Sequence, residues 1–502
     1  MLRPLSALVI GGCVFGTAFA AQRLIAPYAG LSLSLYCAVL AATLLGFALG
    51  CALGARPRDE ARAHWLVVRG LLLSAAATLV IARFSRPLLV SLWGADLRVT
   101  VTIAAVVFAG LPSLGLGFAF AAGPGDASGT GALRRAAWLL AGAAAGAPIV
   151  GFLLAPRLGL GPTLAALAAI EALVAIPFGA RRAPALTAAG VLAALAASAM
   201  VGARPAAASR IGPRMLELRH GRELEYRVFD RDGARYLLAD GTIHAVMDTL
   251  TGDCVQRGAS ALELLHLMRP GRDSMLVIGL RGGTLPLAFA RSGWRVRVVE
   301  PDADEAAASR RVAYRPGEIQ LENADPRRFL RRDPGRHSVI VVDAFADNAL
   351  PYPLCTREFV SQLADHLADG GIVVLLVEAQ GWRDPIIASL AATLRTRLPH
   401  VLALPTSEPP NTIGTILLFA TREPLRFSDD QLPDPTTFFQ NPFALWVVQQ
   451  QTHAWLNRFE PPARGALVLT DDRSMVEVWS DRLNRAARLE LHGFFGANGG
   501  SW

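Results

Sequence analysis

Long apolar stretches fill the first 200 residues of the chain; short apolar runs alternate with polar ones after that. A helix that crosses a bilayer needs about 20 mostly apolar residues. Seven stretches meet that length, at 5–26, 32–54, 64–83, 98–122, 136–155, 160–178 and 184–202. They are rich in Gly and Ala, which lets helices approach closely where lipid gives no hydrophobic drive between them. The start has the outward form of a signal peptide, with Arg3, an apolar run and Ala18-Phe19-Ala20. Six more apolar stretches follow it, so a retained first helix is the better reading.

Beyond a Pro-bearing linker at 203–214 the period shortens. Leu224–Phe229, Arg235–Leu238 and Thr242–Val246 read as strands, separated by the turn-forming pairs Asp232-Gly233 and Asp240-Gly241. From residue 259 onwards strands and helices alternate. Strands are expected at Ser274–Ile278, Val296–Glu300, Ser338–Asp343 and Ile372–Glu378, with a late pair near Val401–Leu404 and Thr415–Ala420. Helices fit Leu285–Ser292, Asp304–Val312, Thr356–Ala368 and Asp384–Leu398. Uninterrupted apolar strands such as Val339–Val342 indicate a parallel sheet covered on both faces. The expected organisation is a membrane domain of about seven spans at 1–203, a linker and small β unit at 204–250, an α/β Rossmann-like domain at 251–425 and a helical extension at 426–502. In that extension Phe443–Asn457 fits an amphipathic helix. Asp471-Asp472 either returns to the site or caps a last helix at Met475–Leu489; capping is the preferred reading.

Composition fits this division. The hydrophobic fraction is 52%, and its excess lies before residue 205. The net charge of +8 comes from arginine, which in a membrane protein marks loops, here Arg56–Arg62, Arg134-Arg135 and Arg181-Arg182. No basic run with interleaved aromatics points to nucleic acid. The five cysteines, Cys13, Cys37, Cys51, Cys254 and Cys355, have neither CxxC nor metal-ligand spacing, so neither disulfides nor a metal is expected. The arginine bias puts the N-terminus inside, and seven spans would then leave the C-terminal half outside. A cytoplasmic C-terminal domain on a bacterial-type inner membrane is nonetheless preferred, because soluble nucleoside donors are cytoplasmic. Glu171 is an acid at membrane depth, a costly placement. Pairing with a nearby arginine, or a position near the interface, is the blander and preferred account.

The chemistry concentrates at the carboxyl ends of the expected strands, where open α/β sheets bind ligands. Val277-Ile278-Gly279-Leu280-Arg281-Gly282-Gly283-Thr284-Leu285 carries a strand through a glycine-rich turn into a helix. Glu300 ends the next strand, placed to accept from ribose hydroxyls. Asp325 either accepts from an adenine amino group or caps the helix that starts at Pro326. Asp343 ends a buried strand and suits a general base or a cation ligand. Asp347 lies across the following turn.

These residues together resemble the polyamine aminopropyltransferases, the spermidine/spermine synthase family, and more closely bacterial members fused to an N-terminal membrane domain. The resemblance rests on Glu225-Tyr226 to Ala239–His244, the Gly279–Leu285 turn, Val299-Glu300, Ala324–Arg327 and Val342–Asp347 running to Leu354–Phe359, with Leu469–Asp472 near the end. It covers roughly 215–425 plus the tail motif. The resemblance implies a β unit ahead of a methyltransferase-like Rossmann domain, decarboxylated S-adenosylmethionine as donor and a small amine as acceptor. It assigns Glu300 to the donor's ribose, Asp325 to the adenine end and Asp343 to deprotonation of the amine; Gly279, Arg281, Gly283, Tyr226, Asp347 and His244, which stands where the family has Gln, are further candidates for binding donor or substrate. Soluble relatives are commonly oligomeric, which makes a homo-oligomer an expectation. Two departures stand out. Arg281 occupies a position where the family's turn carries glycine; it would crowd the donor or pair with an anionic group. The Tyr-His-Glu element that helps bind diamines is replaced by Asp253–Arg257. A methyltransferase using S-adenosylmethionine, whose carboxylate would suit Arg281, and a lapsed domain serving as sensor or scaffold are the competing readings.

Overall fold

The structure, a computed structural model, describes all residues except 1, 31, 56–59, 93–96, 124–128, 180–183, 203–213, 223, 241, 272, 346–349, 408–410, 477, 480–481, 485 and 489–502. The expected Asp347 therefore lies outside the described residues. The chain forms two compact units, one essentially Met1–Ser209 and the other Arg210–Arg219 with Glu225–Leu491.

The first unit is all helix. Among the described residues six of its helices are long and apolar enough to cross a membrane: Pro4–Ala29, Leu33–Gly54, Arg62–Ser85, Arg98–Ala122, Thr130–Leu158 and Leu160–Gly179. The seventh expected span is also helical, Pro184–Gly202. Leucines 40, 44, 45, 49 and 53 of Leu33–Gly54 face outward, exposed, as suits a lipid-facing stripe. Small residues line the contacts between helices. A Cβ at Gly142 would lie 1.8 Å from the Leu8 carbonyl oxygen, and one at Gly11 would lie 2.0 Å from that of Leu139. These two glycines set how closely Leu2–Ala29 and Gly129–Pro148 approach.

The second unit opens with a four-stranded antiparallel sheet in the order β1 (Arg214–His220), β2 (Glu225–Arg231), β3 (Ala234–Ala239), β4 (Thr242–Asp248). The β2–β3 turn places Asp232 and Gly233 at φ 50° and 79°, the left-handed pair that a two-residue hairpin demands. β1 was not anticipated. Its start coincides with the end of the expected linker, and its residues are only half-buried.

The main sheet contains β5 (Ser274–Ile278), β6 (Arg295–Val299), β7 (Gln320–Glu322), β8 (His337–Val342), β9 (Leu367–Gln380), β10 (His400–Pro405) and β11 (Ile413–Thr421). Their spatial order is β10-β11-β9-β8-β5-β6-β7. β5 to β9 pair in parallel, and β11 runs antiparallel between β9 and β10. Strand order reverses between β5 and β8, the crevice where doubly wound sheets bind ligands. Alternate residues feed two cores. Leu276, Ile278, Ile340 and Val342 face one side, and Met275, Val277, Val339 and Val341 the other. The three-residue β7 also went unanticipated, being too short and too polar to carry an apolar run.

The extension belongs to the sheet. Helix Pro442–Leu456 buries Ala454 and Trp455 in the core shared with Val277. Leu469 and Val476 enter the opposite core.

Gly142→Leu is expected to force Leu2–Ala29 away from Gly129–Pro148 and to cost about 1–3 kcal/mol. Thermal unfolding of the detergent-solubilised full chain checks this; an unchanged midpoint would show that the close approach is dispensable.

Candidate functional site

The site is built on the turn after β5. Gly279, Gly282 and Gly283 take φ of 104°, 75° and 79°, conformations that glycine adopts at little cost. What fills the space above them is protein. An added Cβ would lie 2.1 Å from the Asp343 carbonyl oxygen at Gly279, 2.4 Å from Ala245 Cβ at Gly282 and 2.9 Å from Tyr314 Cβ at Gly283. The glycines therefore let β8, the β unit and the Tyr314 segment close over the turn.

Glu300, at the end of β6, accepts from the backbone N–H of Leu280 (2.9 Å) and of Asp302 (2.8 Å). It ties the glycine turn to the neighbouring strand exit. Burial and the adjacent Glu305 push its carboxyl well above the usual range, against these two donors. Asp302 starts helix Ala303–Ser309, capping the Asp304 N–H, and also accepts from the Tyr226 hydroxyl at 2.6 Å. Burial and the acids Glu305 and Asp302 push the Tyr226 phenol up, so it remains a donor. His244 Nδ1 lies 3.2 Å from Glu305 Oε1, with both side chains buried. Tyr226 and His244 pack edge to face.

Arg281 crosses this acid-lined space. It is a non-glycine residue in the left-handed region, at φ 40°, a strained placement. Its Nη1 donates to Asp343 Oδ1 at 2.7 Å and its Nη2 to the Ile243 carbonyl at 2.8 Å. The guanidinium lies 4.3 Å over the Phe345 ring. Burial opposes its charge, but Asp343, Glu378 and Glu305 outweigh burial and raise its pKa. Burial also raises Asp343, with Arg281 pulling the other way. Burial lifts Glu305 to about 8, even with Arg281 nearby.

The structure thus gathers Gly279, Arg281, Gly283, Glu300, Asp343, Tyr226 and His244 around one locus. Asp325 is exposed and caps helix Pro326–Leu330, accepting from Arg328 N–H at 2.8 Å. It borders a cleft of about 590 Å³ with Arg297, Asn323 and Arg328. Asp471 pairs with both terminal nitrogens of Arg327, each at 2.8 Å, so the tail motif does return to the sheet domain, on the helix that Asp325 begins. Among the described residues no group of three or more His, Cys, Asp or Glu is placed to hold a metal ion. Sequence reasoning missed Glu305 and Asp302. Acids in a first helical turn read as ordinary helix-start residues, and only the position of that helix at the ligand edge marks them out.

No family model matches the chain. Over 222 residues, 41% of its length, it is 22% identical to a probable polyamine aminopropyl transferase of Bifidobacterium longum (strain NCC 2705), and it spans about half of that relative's length, 48%. A probable spermidine synthase from Corynebacterium glutamicum ATCC 13032 aligns over 53% of this chain and 98% of its own, at 18% identity and a TM-score of 0.41. The spermidine synthase of Thermotoga maritima aligns over 44% and 77%, at 17% identity and a TM-score of 0.36. Human methyltransferase-like protein 13 in complex with SAH aligns over 42% and 94%, at 16% identity and a TM-score of 0.29. In sequence the chain is thus similar to a polyamine aminopropyltransferase.

The raised Glu305 carboxyl makes stability depend on pH. Its pKa is about 8 when folded, against roughly 4.3 unfolded. Its contribution is complete below the unfolded value and is lost as pH rises towards 8, because the unfolded state ionises first. Glu305→Gln is expected to flatten the fall in melting temperature between mildly acidic and mildly alkaline buffer. A variant with the same slope as the parent would exclude Glu305 as the source.

Proposed function

We propose that the C-terminal unit is a transferase domain of the aminopropyltransferase type. It takes decarboxylated S-adenosylmethionine as donor and a small amine as acceptor, on a chain held in a cytoplasmic membrane. The observation that carries this reading is the gathering of Glu300, Asp302, Glu305 and Asp343 around the glycine turn at the strand-order reversal. Such a site suits a sulfonium donor and an ammonium-bearing acceptor.

In this reading Glu300 receives the ribose hydroxyls, and the cleft beside Asp325 receives the adenine. The acceptor ammonium gives one proton to Asp343. The freed nitrogen attacks the propyl carbon next to sulfur. The carbon–sulfur bond breaks, its electron pair stays on sulfur, and methylthioadenosine leaves. The sulfonium is already an activated leaving group, so positioning supplies much of the rate. The side chain of Arg281 holds Asp343 in the arrangement described, and Asp343 becomes a base only when Arg281 moves away from it.

A second reading rests on the same contact. A donor that keeps its carboxylate, S-adenosylmethionine itself, would take over Arg281 from Asp343 as a charge-assisted partner, and the transferred group would then be methyl.

Calorimetric titration of the full-length protein in detergent with decarboxylated S-adenosylmethionine, S-adenosylmethionine and methylthioadenosine separates the readings. Preferential binding of the decarboxylated donor, with turnover of a diamine, is expected. Asp343→Asn should lower kcat by about 10²–10⁴-fold, the range for loss of a general base. Arg281→Gly should raise the turnover of diamine by freeing Asp343. Tight binding of the carboxylated donor that Arg281→Gly abolishes would favour methyl transfer, and no binding of any of the three would overturn both.

A further inference from the structure

We propose that Glu171 is a proton-exchanging carboxyl in the middle of the N-terminal helical unit, reached by water from the end marked by Arg135. It is 1% exposed, and both of its carboxylate oxygens are buried without a hydrogen-bond partner. No arginine pairs with it among the described residues, so the expected pairing with a nearby arginine is not found there.

Glu171 sits in a polar layer contributed by four helices. Ser74 stands beside it within reach of a hydrogen bond, but its hydroxyl is turned to the Pro112 carbonyl at 3.1 Å. The buried hydroxyls of Thr17, Thr78 and Ser113 are likewise without partners. Thr78 lies one turn from Ser74, Thr17 one turn from Cys13, and Ser113 directly follows Pro112. Cys13, on Leu2–Ala29, lies within electrostatic reach of Glu171. Helices Leu111–Ala122 and Pro184–Gly202 carry no ionisable side chain. On Glu60–Ser91 the nearest one along the chain to Ser74, Arg69, lies over the Trp65 ring.

The same helices enclose a cavity of about 20 Å³ lined by Ile10, Val67, Ala119, Phe178 and Arg135, room for one water. Glu171 is seven residues from Phe178, and Ser74 seven from Val67. At 1.5 Å per residue the two layers are about 10 Å apart. One buried apolar turn separates them, formed by Leu71, Leu116 and Ala175. An ionised carboxylate with no charged partner and a single hydroxyl beside it is costly at such depth, and a proton is the smallest partner that satisfies it. The exchange is balanced in itself: the carboxylate takes a proton from hydronium that has entered through the cavity, and returns it to water by the same route. This makes the helical unit a proton-responsive element as well as an anchor.

Dicyclohexylcarbodiimide, which adds to protonated carboxyls in apolar settings, tests the assignment on the full-length protein in liposomes, with peptide mass spectrometry as readout. An adduct on Glu171 is expected, forming more slowly by about tenfold per pH unit once the carboxyl ionises. Leu116→Ala, which thins the apolar turn, should speed the labelling several-fold. Glu171→Gln should remove the adduct while the protein still elutes as a folded species. Absence of an adduct at every pH in folded protein, a rate that does not vary with pH, or protection by sodium ions, which would assign a metal cation instead, would each overturn the proposal.

Discussion

The ion pair between Arg281 and Asp343 organises the C-terminal unit. Each member is buried, and each would be strongly destabilising without the other. Arg281 also reaches back to the Ile243 carbonyl in β4, so a single side chain joins the glycine turn, the end of β8 and the antiparallel sheet. The acids around it, Glu300, Asp302 and Glu305, come from the exit of β6 and the helix after it. Burial holds the carboxyls of Glu300 and Glu305 above the ordinary range, and Arg281 draws Glu305 back towards it.

Much of this was legible in the sequence because the relevant signals are local. The continuous apolar runs Met275–Ile278 and Val339–Val342 announced central parallel strands, and Asp232-Gly233 announced a hairpin. The positions of Gly279, Glu300 and Asp343 at strand ends followed from that framework alone. β1 and β7 escaped because both are edge strands of half-buried, polar residues, and their strand state depends on neighbours far along the chain. The Arg281–Asp343 contact, 62 positions apart, was anticipated only as a choice between crowding a donor and pairing with an anion. Its partner proved to be the residue expected to act as base.

The helical unit shows the same division. Length and apolarity identified its spans, and the abundance of glycine suggested close packing. Sequence alone could not say which carbonyl each glycine would meet, nor that Glu171 would be buried beside Ser74. Those depend on helix rotation, which a uniformly apolar sequence leaves almost unmarked.

The tail has a consequence for biosynthesis. Trp455 seals one face of the main sheet, Leu469 and Val476 the other, and Asp471 clasps Arg327 from 144 positions further along the chain. Neither face is closed until residues 455 to 476 have been made. The apolar helices near the N-terminus emerge from the ribosome first, so the sheet completes its core on a chain whose other end is already committed to its own fold. Loss of a few dozen residues from the C-terminus would leave both faces open, and quality control would meet a chain that is half mature and half unfinished.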